Sequence, residues 1–289
     1  MAEPNQPLTA ESYGNHETAW CPGCGNFGIL KAIKQALAAS HLAPHEVLFV
    51  SGIGQAAKAP HYFDANLFNG LHGRALPVAT GARLGNPDLP VIVESGDGCL
   101  YGEGGNHFMA AIRRDIRLTV LAHDNQVYAL TKGQASPTSL QGFVTKAQPH
   151  GVFATPLNPV LLAVALQAGF VARTFSGLID HAADMIRQAI AHPGFALVDI
   201  LQPCVSFNTV NTFKWYKERC TPLPAGYDPT RWDSAMVTAA RFDDQIPIGV
   251  IYRNDAPPFE SHFEHLRGPR AGSREERAKR LAEIVKNWG

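Results

Sequence analysis

Short apolar runs alternate with amphipathic stretches along most of this chain. Val47–Val50, Val91–Val93, Leu118–Leu121, Phe170–Thr174 and Ala196–Ile200 each read as a buried strand, bounded by polar or glycine-rich turns. Between them the period changes. Ile29, Leu30, Ile33, Leu37 and Ala38 recur at helical spacing, and helices are also expected over Pro77 to Leu84, around Gly105 to Arg114, over Pro159–Gln167 and over Ile179–Ala191. Strand and helix in alternation predict an α/β fold with a mainly parallel sheet flanked by helices. From about residue 205 the pattern weakens: 205–270 is rich in Pro, Asp and aromatics, which predicts an irregular C-terminal arm packed on a partner, before a charged helix from Arg274 to Asn287. The organisation expected is therefore an N-terminal extension (1–17), an α/β domain (18–205) and an arm with a terminal helix (206–289).

Composition narrows the classes. With 289 residues, 45% hydrophobic and 17% charged, the chain can bury the core of one large domain plus an extension. Its 25 basic and 25 acidic residues cancel, so no global field favours nucleic acid or a membrane surface, and partners must be argued from local sites. No apolar run is long enough to span a bilayer, and Met1 to Gly14 is polar without a signal-peptide pattern, so a cytoplasmic location is expected.

Candidate chemistry lies at two strand ends. Gly96-Asp97-Gly98 follows one apolar run and His123-Asp124-Asn125 follows the next, and in an open parallel sheet ligands bind at those carboxyl ends. This arrangement suits thiamine diphosphate held through Mg²⁺. Asp97, the Asn125 amide oxygen and the Val127 carbonyl would supply three of six oxygens, leaving room for two diphosphate oxygens and a water. Gly96 and Gly98 would let backbone N–H groups approach the phosphates. Two ordinary strand-end turns would give the same triplets. A Gly/Ser/Thr/Pro-rich loop from Thr131 to Thr145 is long enough to suggest function.

Five cysteines, an odd count with two in Cys21-Pro22-Gly23-Cys24, fit metal or redox chemistry better than a disulfide framework. The spacing of Cys21 and Cys24 suits a zinc half-site, a dithiol or two ligands of an iron–sulfur cluster. Cys204 follows the Ala196–Ile200 strand, at the same end of the sheet as the proposed diphosphate.

Taken in order, Trp20-Cys21-Pro22-Gly23-Cys24-Gly25, Ser51-Gly52-Ile53-Gly54, Leu71-His72-Gly73-Arg74, Gly96-Asp97-Gly98, His123-Asp124-Asn125 and Leu130-Thr131-Lys132-Gly133-Gln134 resemble the β subunits of 2-oxoacid:ferredoxin oxidoreductases. The likeness covers roughly residues 18–215 and is greatest to the two-subunit 2-oxoglutarate type. It implies a thiamine diphosphate-binding fold carrying the diphosphate half of the site, with Gly54 and His72 among the cofactor contacts. The pyrimidine half would come from an α subunit, in an αβ or (αβ)₂ assembly. It also implies a [4Fe–4S] cluster on Cys21, Cys24 and Cys204. Many relatives carry a fourth cysteine directly after the Ser-Gly-Ile-Gly turn, where this chain has Gln55; Cys99 is the nearest replacement by sequence, and His61 a less favoured one. Lys58 and Lys132 would meet the substrate carboxylates, although solvated lysine is the ordinary fate of such residues.

The activity implied is CoA-dependent oxidative decarboxylation of 2-oxoglutarate with electrons passed to ferredoxin, or the reverse carboxylation of succinyl-CoA. Three alternatives stand beside it: pyruvate or broad 2-oxo acid specificity, a non-redox thiamine enzyme subunit, and a subunit that binds diphosphate without turnover.

Overall fold

The computed structural model describes residues 7–263, 266 and 274–287. Residues 1–6 of the expected N-terminal extension, and 264–265, 267–273 and 288–289 of the expected arm, lie outside the described residues. The strands are β1 (Leu48–Ser51), β2 (Asn66–Asn69), β3 (Val91–Gly96), β4 (Thr119–Asp124), β5 (Val127–Tyr128), β6 (Gln134–Ala135), β7 (Phe170–Phe175), β8 (Ala196–Leu201), β9 (Cys220–Pro222) and β10 (Ile246–Arg253). The helices are α1 (Asn26–Ala39), α2 (Ala75–Gly85), α3 (Gly105–Arg114), α4 (Pro159–Ala165), α5 (Ile179–Ala191), α6 (Phe213–Arg219), α7 (Trp232–Ala240) and α8 (Arg274–Lys286).

Eight strands form one sheet in the order β2-β1-β3-β4-β8-β7-β10-β9, and β5 pairs with β6 as a separate hairpin. Strands β2 to β7 in that order run parallel; β10 joins antiparallel to β7, with β9 parallel to β10 at the edge. The central strands are apolar on both faces because helices cover both. Phe49, Ile92, Leu121 and Val198 pack with Ile29, Ile33 and Leu37 of α1 and Ile186 of α5. Their neighbours Val50, Val93, Val120 and Leu197 pack with Leu76 of α2, Phe108 and Ile112 of α3, Val160 of α4 and Ala235 of α7. Successive residues of one strand thus enter opposite cores, the period-two consequence of a pleated sheet.

The segment after 205 departs from the sequence reading. It supplies α6, β9, α7 and β10, and two of these elements extend the main sheet rather than forming an irregular arm. Pro247 and Gly249 obscured β10, since both residues usually interrupt strands. Gly249 has φ +135° and lies beside a register shift between Val250 and Tyr252, where the strand is bulged while still paired to β7 on either side. Strand β2 was also missed: all four of its residues are exposed at the sheet edge, so it carries no alternation to read. No helix among the described residues is long and apolar enough to cross a membrane.

Candidate functional site

The carboxyl ends of β3 and β4 deliver Asp97 and Asn125 to one cleft. Glu94 to Gly96 pair with Leu121 to His123, so the two strands end level and their following residues face each other. A cleft of about 80 Å³ is lined by Gly54, Gln55, His72, Gly96, Asp97, Gly98, Cys99, Asn125 and Val127, which gathers turns widely separated in sequence. Asn125 makes a tight turn, its Oδ1 accepting from Val127 N at 3.0 Å, and Gln126 after it adopts φ +60°.

Asp97 is buried and clamped. Ser136 Oγ and Thr138 Oγ1 both reach Asp97 Oδ2, at 2.5 and 2.6 Å, and Thr138 Oγ1 also lies 2.8 Å from Asp124 Oδ1. The loop expected to be functional therefore holds the carboxylate of the preceding strand end. Behind it, Tyr101 donates to Asp199 Oδ1 at 3.1 Å, and fully buried Arg173 donates to the carbonyls of Ala239 and Arg241. Burial raises all three aspartates: Asp124 well above the usual range with Asp199 and Asp97 adding to it, and Asp199 to about 6 despite Arg173. The rise at Asp97 is opposed by the Ser136 and Thr138 hydroxyls. Buried carboxylates this close cannot all ionise unaided, and a cation against Asp97 would relieve the cost. This buried acidity fits Mg²⁺, with Asp97, Asn125 and the Val127 carbonyl as available oxygens.

The flanking glycines behave differently from each other. Gly98 has no room for a side chain because the Tyr128 ring lies against it, whereas a Cβ on Gly96 would make only ordinary contacts with Ala56 and the His123 carbonyl, and neither has positive φ. Gly54 is the turn that needs glycine conformationally, with φ +121°.

Cys21, Cys24 and Cys204 line a second pocket with Trp20, Asn26, Gln55, Asn125, Ala129 and Gln202, sharing Gln55, Asn125 and Ala129 with the first cleft. Gly25 allows this convergence: a Cβ there would strike Gln202, Ser176 and Pro203, and its N–H donates to Pro203 O at 3.4 Å. Burial raises the Cys24 thiol, and Cys204 and Cys21 add to the rise. Gln202 Nε2 donates to Cys24 Sγ at 3.6 Å and Ser206 Oγ to Cys21 Sγ at 3.1 Å. A pocket of three thiols, two of them with hydrogen-bonded sulfurs, fits an iron–sulfur cluster; among the described residues no three His, Cys, Asp or Glu side chains close on a single ion. Cys99 is not in this pocket. It is buried in the Asp97 cleft, with its sulfur accepting from Gly73 N at 3.2 Å and Ile53 N at 3.5 Å.

Lys58 and His61 line a hollow of about 390 Å³ that shares Ile53, Gly54 and Leu130 with the Asp97 cleft. Lys132 is exposed in the turn after β5 with φ +81°, and its neighbours Leu130 and Thr131 line the cleft. His72 is exposed on the cleft wall.

Sequence reasoning missed a buried chain behind the site. Asn26 Oδ1 accepts from His123 Nδ1 at 2.8 Å, and His123 Nε2 stands 3.1 Å from Glu94 Oε1. It ties β3 and β4 to the start of α1, two residues after Cys24. Polar residues inside apolar strand runs were the available signal.

Comparison with known proteins agrees with this geometry. Residues 45–200 match the family model described as thiamine pyrophosphate enzyme, C-terminal TPP binding domain, and 204–268 match the model for the C terminal of the pyruvate ferredoxin oxidoreductase beta subunit. A Sulfolobus 2-oxoacid:ferredoxin oxidoreductase subunit beta is 43% identical over 252 residues, 83% of each chain. The Mycobacterium tuberculosis 2-oxoglutarate oxidoreductase subunit KorB is 42% identical over 205 residues, 71% of this chain and 55% of that one. The solved 2-oxoglutarate:ferredoxin oxidoreductase from Magnetococcus marinus, with 2-oxoglutarate, coenzyme A and succinyl-CoA bound, superposes with TM-score 0.88 at 34% identity, covering 95% of this chain and 96% of that one.

Proposed function

This chain belongs to the β subunits of the 2-oxoacid:ferredoxin oxidoreductases, and we propose that it is the diphosphate-binding half of a 2-oxoglutarate:ferredoxin oxidoreductase completed by an α subunit. The observation that carries the reading is the shared wall of Gln55, Asn125 and Ala129 between the Asp97 cleft and the three-cysteine pocket. A cofactor site and an electron-transfer site built on one wall suit an oxidoreductase, whereas a non-redox thiamine enzyme has no use for the second.

In this reading Asp97, Asn125 and the Val127 carbonyl hold Mg²⁺, while Gly54, His72, Gly96 and Gly98 line the diphosphate. Cys21, Cys24 and Cys204 hold a [4Fe–4S] cluster. When bound, thiamine diphosphate supplies the carbanion chemistry of 2-oxo acid decarboxylation, and the cluster supplies one-electron transfer toward ferredoxin. Ser136 and Thr138 orient the Asp97 carboxylate. Lys58 and Lys132 have no ion-pair partner among the described residues, which supports a role in meeting the two carboxylates of 2-oxoglutarate beside CoA.

Pyruvate is the second reading, favoured by the family matched over residues 204–268. The test is reconstitution with the α subunit and an artificial electron acceptor across several 2-oxo acids. We expect CoA-dependent reduction greatest with 2-oxoglutarate. Preference for pyruvate would establish the second reading, and no CoA-dependent reduction with any acid would overturn both.

A further inference from the structure

The cysteine pocket offers three thiols and, where a fourth ligand would complete the set, a carboxamide. Resting on the cluster reading above, we propose that Cys21, Cys24 and Cys204 alone hold the [4Fe–4S] cluster, with the iron facing Gln55 lacking any protein thiolate and open to an exchangeable small ligand.

The position of Gln55 is set by its neighbours. Its carbonyl accepts from Trp20 Nε1 at 2.9 Å, which fixes it beside the residue that precedes Cys21. Its side-chain Oε1 is buried without a hydrogen-bond partner, and so is Gln202 Oε1 in the same pocket. Two orphaned acceptors cost free energy unless a donor reaches them. An exchangeable protic ligand on the open iron would be such a donor. An amide oxygen itself is a hard, weak ligand for a sulfide-bridged iron, so Gln55 does not replace a thiolate.

The remaining candidates stand elsewhere. Cys99 accepts two backbone N–H bonds in the Asp97 cleft, and its sulfur packs so closely on Gly52 that a Cβ there would collide with it. Moving it would strand the Gly73 and Ile53 amides. Cys220 lies on β9, packed with Phe175, Leu201 and Tyr216. His61 lines the Lys58 hollow. Among the described residues, no fourth cysteine or histidine lines the pocket of Cys21, Cys24 and Cys204.

A three-thiolate cluster has a chemical signature. A one-electron oxidant such as ferricyanide should release the open iron: [4Fe–4S]²⁺ gives [3Fe–4S]⁺, Fe²⁺ and one electron, which the ferricyanide accepts, while all the sulfide stays bound. The experiment uses the αβ protein purified anaerobically, with iron and acid-labile sulfide assayed and paramagnetic spectra recorded before and after oxidation. We expect iron to fall from about four to about three per chain with sulfide unchanged, and to return on adding Fe²⁺ with reductant. Gln55→Cys should keep its full iron under the same treatment. Cys99→Ser, which needs no new ligand to fold, should match the wild type in iron content and spectrum. Retention of all the iron by oxidised wild type, or a changed spectrum in Cys99→Ser, would overturn the proposal. Absence of stoichiometric iron and sulfide before oxidation would instead overturn the cluster reading on which it rests.

Discussion

Thr138 donates its hydroxyl to Asp97 Oδ2 at 2.6 Å across 41 residues of sequence, so the rim of one loop sets the carboxylate at the end of β3. The same oxygen of Thr138 lies 2.8 Å from Asp124, and Thr138 carries a single hydroxyl proton for two carboxylates. Thr138→Val keeps the shape and removes one of the two hydroxyls on Asp97 Oδ2, which should weaken Mg²⁺-thiamine diphosphate binding by roughly ten- to a hundredfold, the worth of a hydrogen bond to a charged group. Asp97→Ala should abolish binding without loss of fold. Calorimetric titration with unchanged affinity in both variants would remove Asp97 from the cation site.

Lys58 lines the hollow beside the Asp97 cleft and Lys132 directly follows the cleft-lining Leu130 and Thr131, and each carries a cation with no ion-pair partner among the described residues. If they read substrate charge, Lys58→Ala and Lys132→Ala in the reconstituted enzyme should lower kcat/KM for 2-oxoglutarate by roughly ten- to a hundredfold, and for pyruvate by less. Equal losses for both acids would assign the lysines to cofactor binding or structure.

Arg83 of α2 and Glu260 form a buried ion pair at 3.0 Å, with side chains 6% and 9% exposed. Glu260 also accepts from Arg117 N at 3.3 Å, tying the segment after β10 to the amino end of β4. Glu260→Ala leaves a buried guanidinium unpaired and should cost about 3–5 kcal/mol, whereas the double replacement Arg83→Met, Glu260→Leu should cost much less. Denaturant titration reads both. A small loss in the single variant would mean that water reaches Arg83 readily.

His192 caps the end of α5 against Phe170, and burial together with Arg253 and Arg117 lowers its pKa from 6.5 to about 4. The fold therefore keeps the imidazole neutral where the unfolded chain protonates it. Its contribution to stability is complete above pH 6.5 and is lost as the pH falls toward about 4. His192→Gln cannot protonate there, so its Tm should decline less than that of the wild type across this window. Parallel Tm profiles would show that His192 titrates normally in the fold.

The alternating apolar and amphipathic runs determined the α/β class, most central strands and the flanking helices, because a strand buried on both faces must be apolar throughout and a covering helix must show one apolar stripe. Gly-Asp-Gly and Asp-Asn at two strand ends were legible for the same reason: the topology of a parallel sheet places such ends together wherever the strands are neighbours. Tertiary structure alone decided the rest. The Thr138 clamp on Asp97, the separation of Cys99 from Cys21, Cys24 and Cys204, and the entry of β10 into the sheet each join segments far apart in the chain. Local pattern carries no record of such pairings. They are chosen by which buried polar groups can satisfy one another once the core has closed, and that depends on distances that exist only in the folded chain.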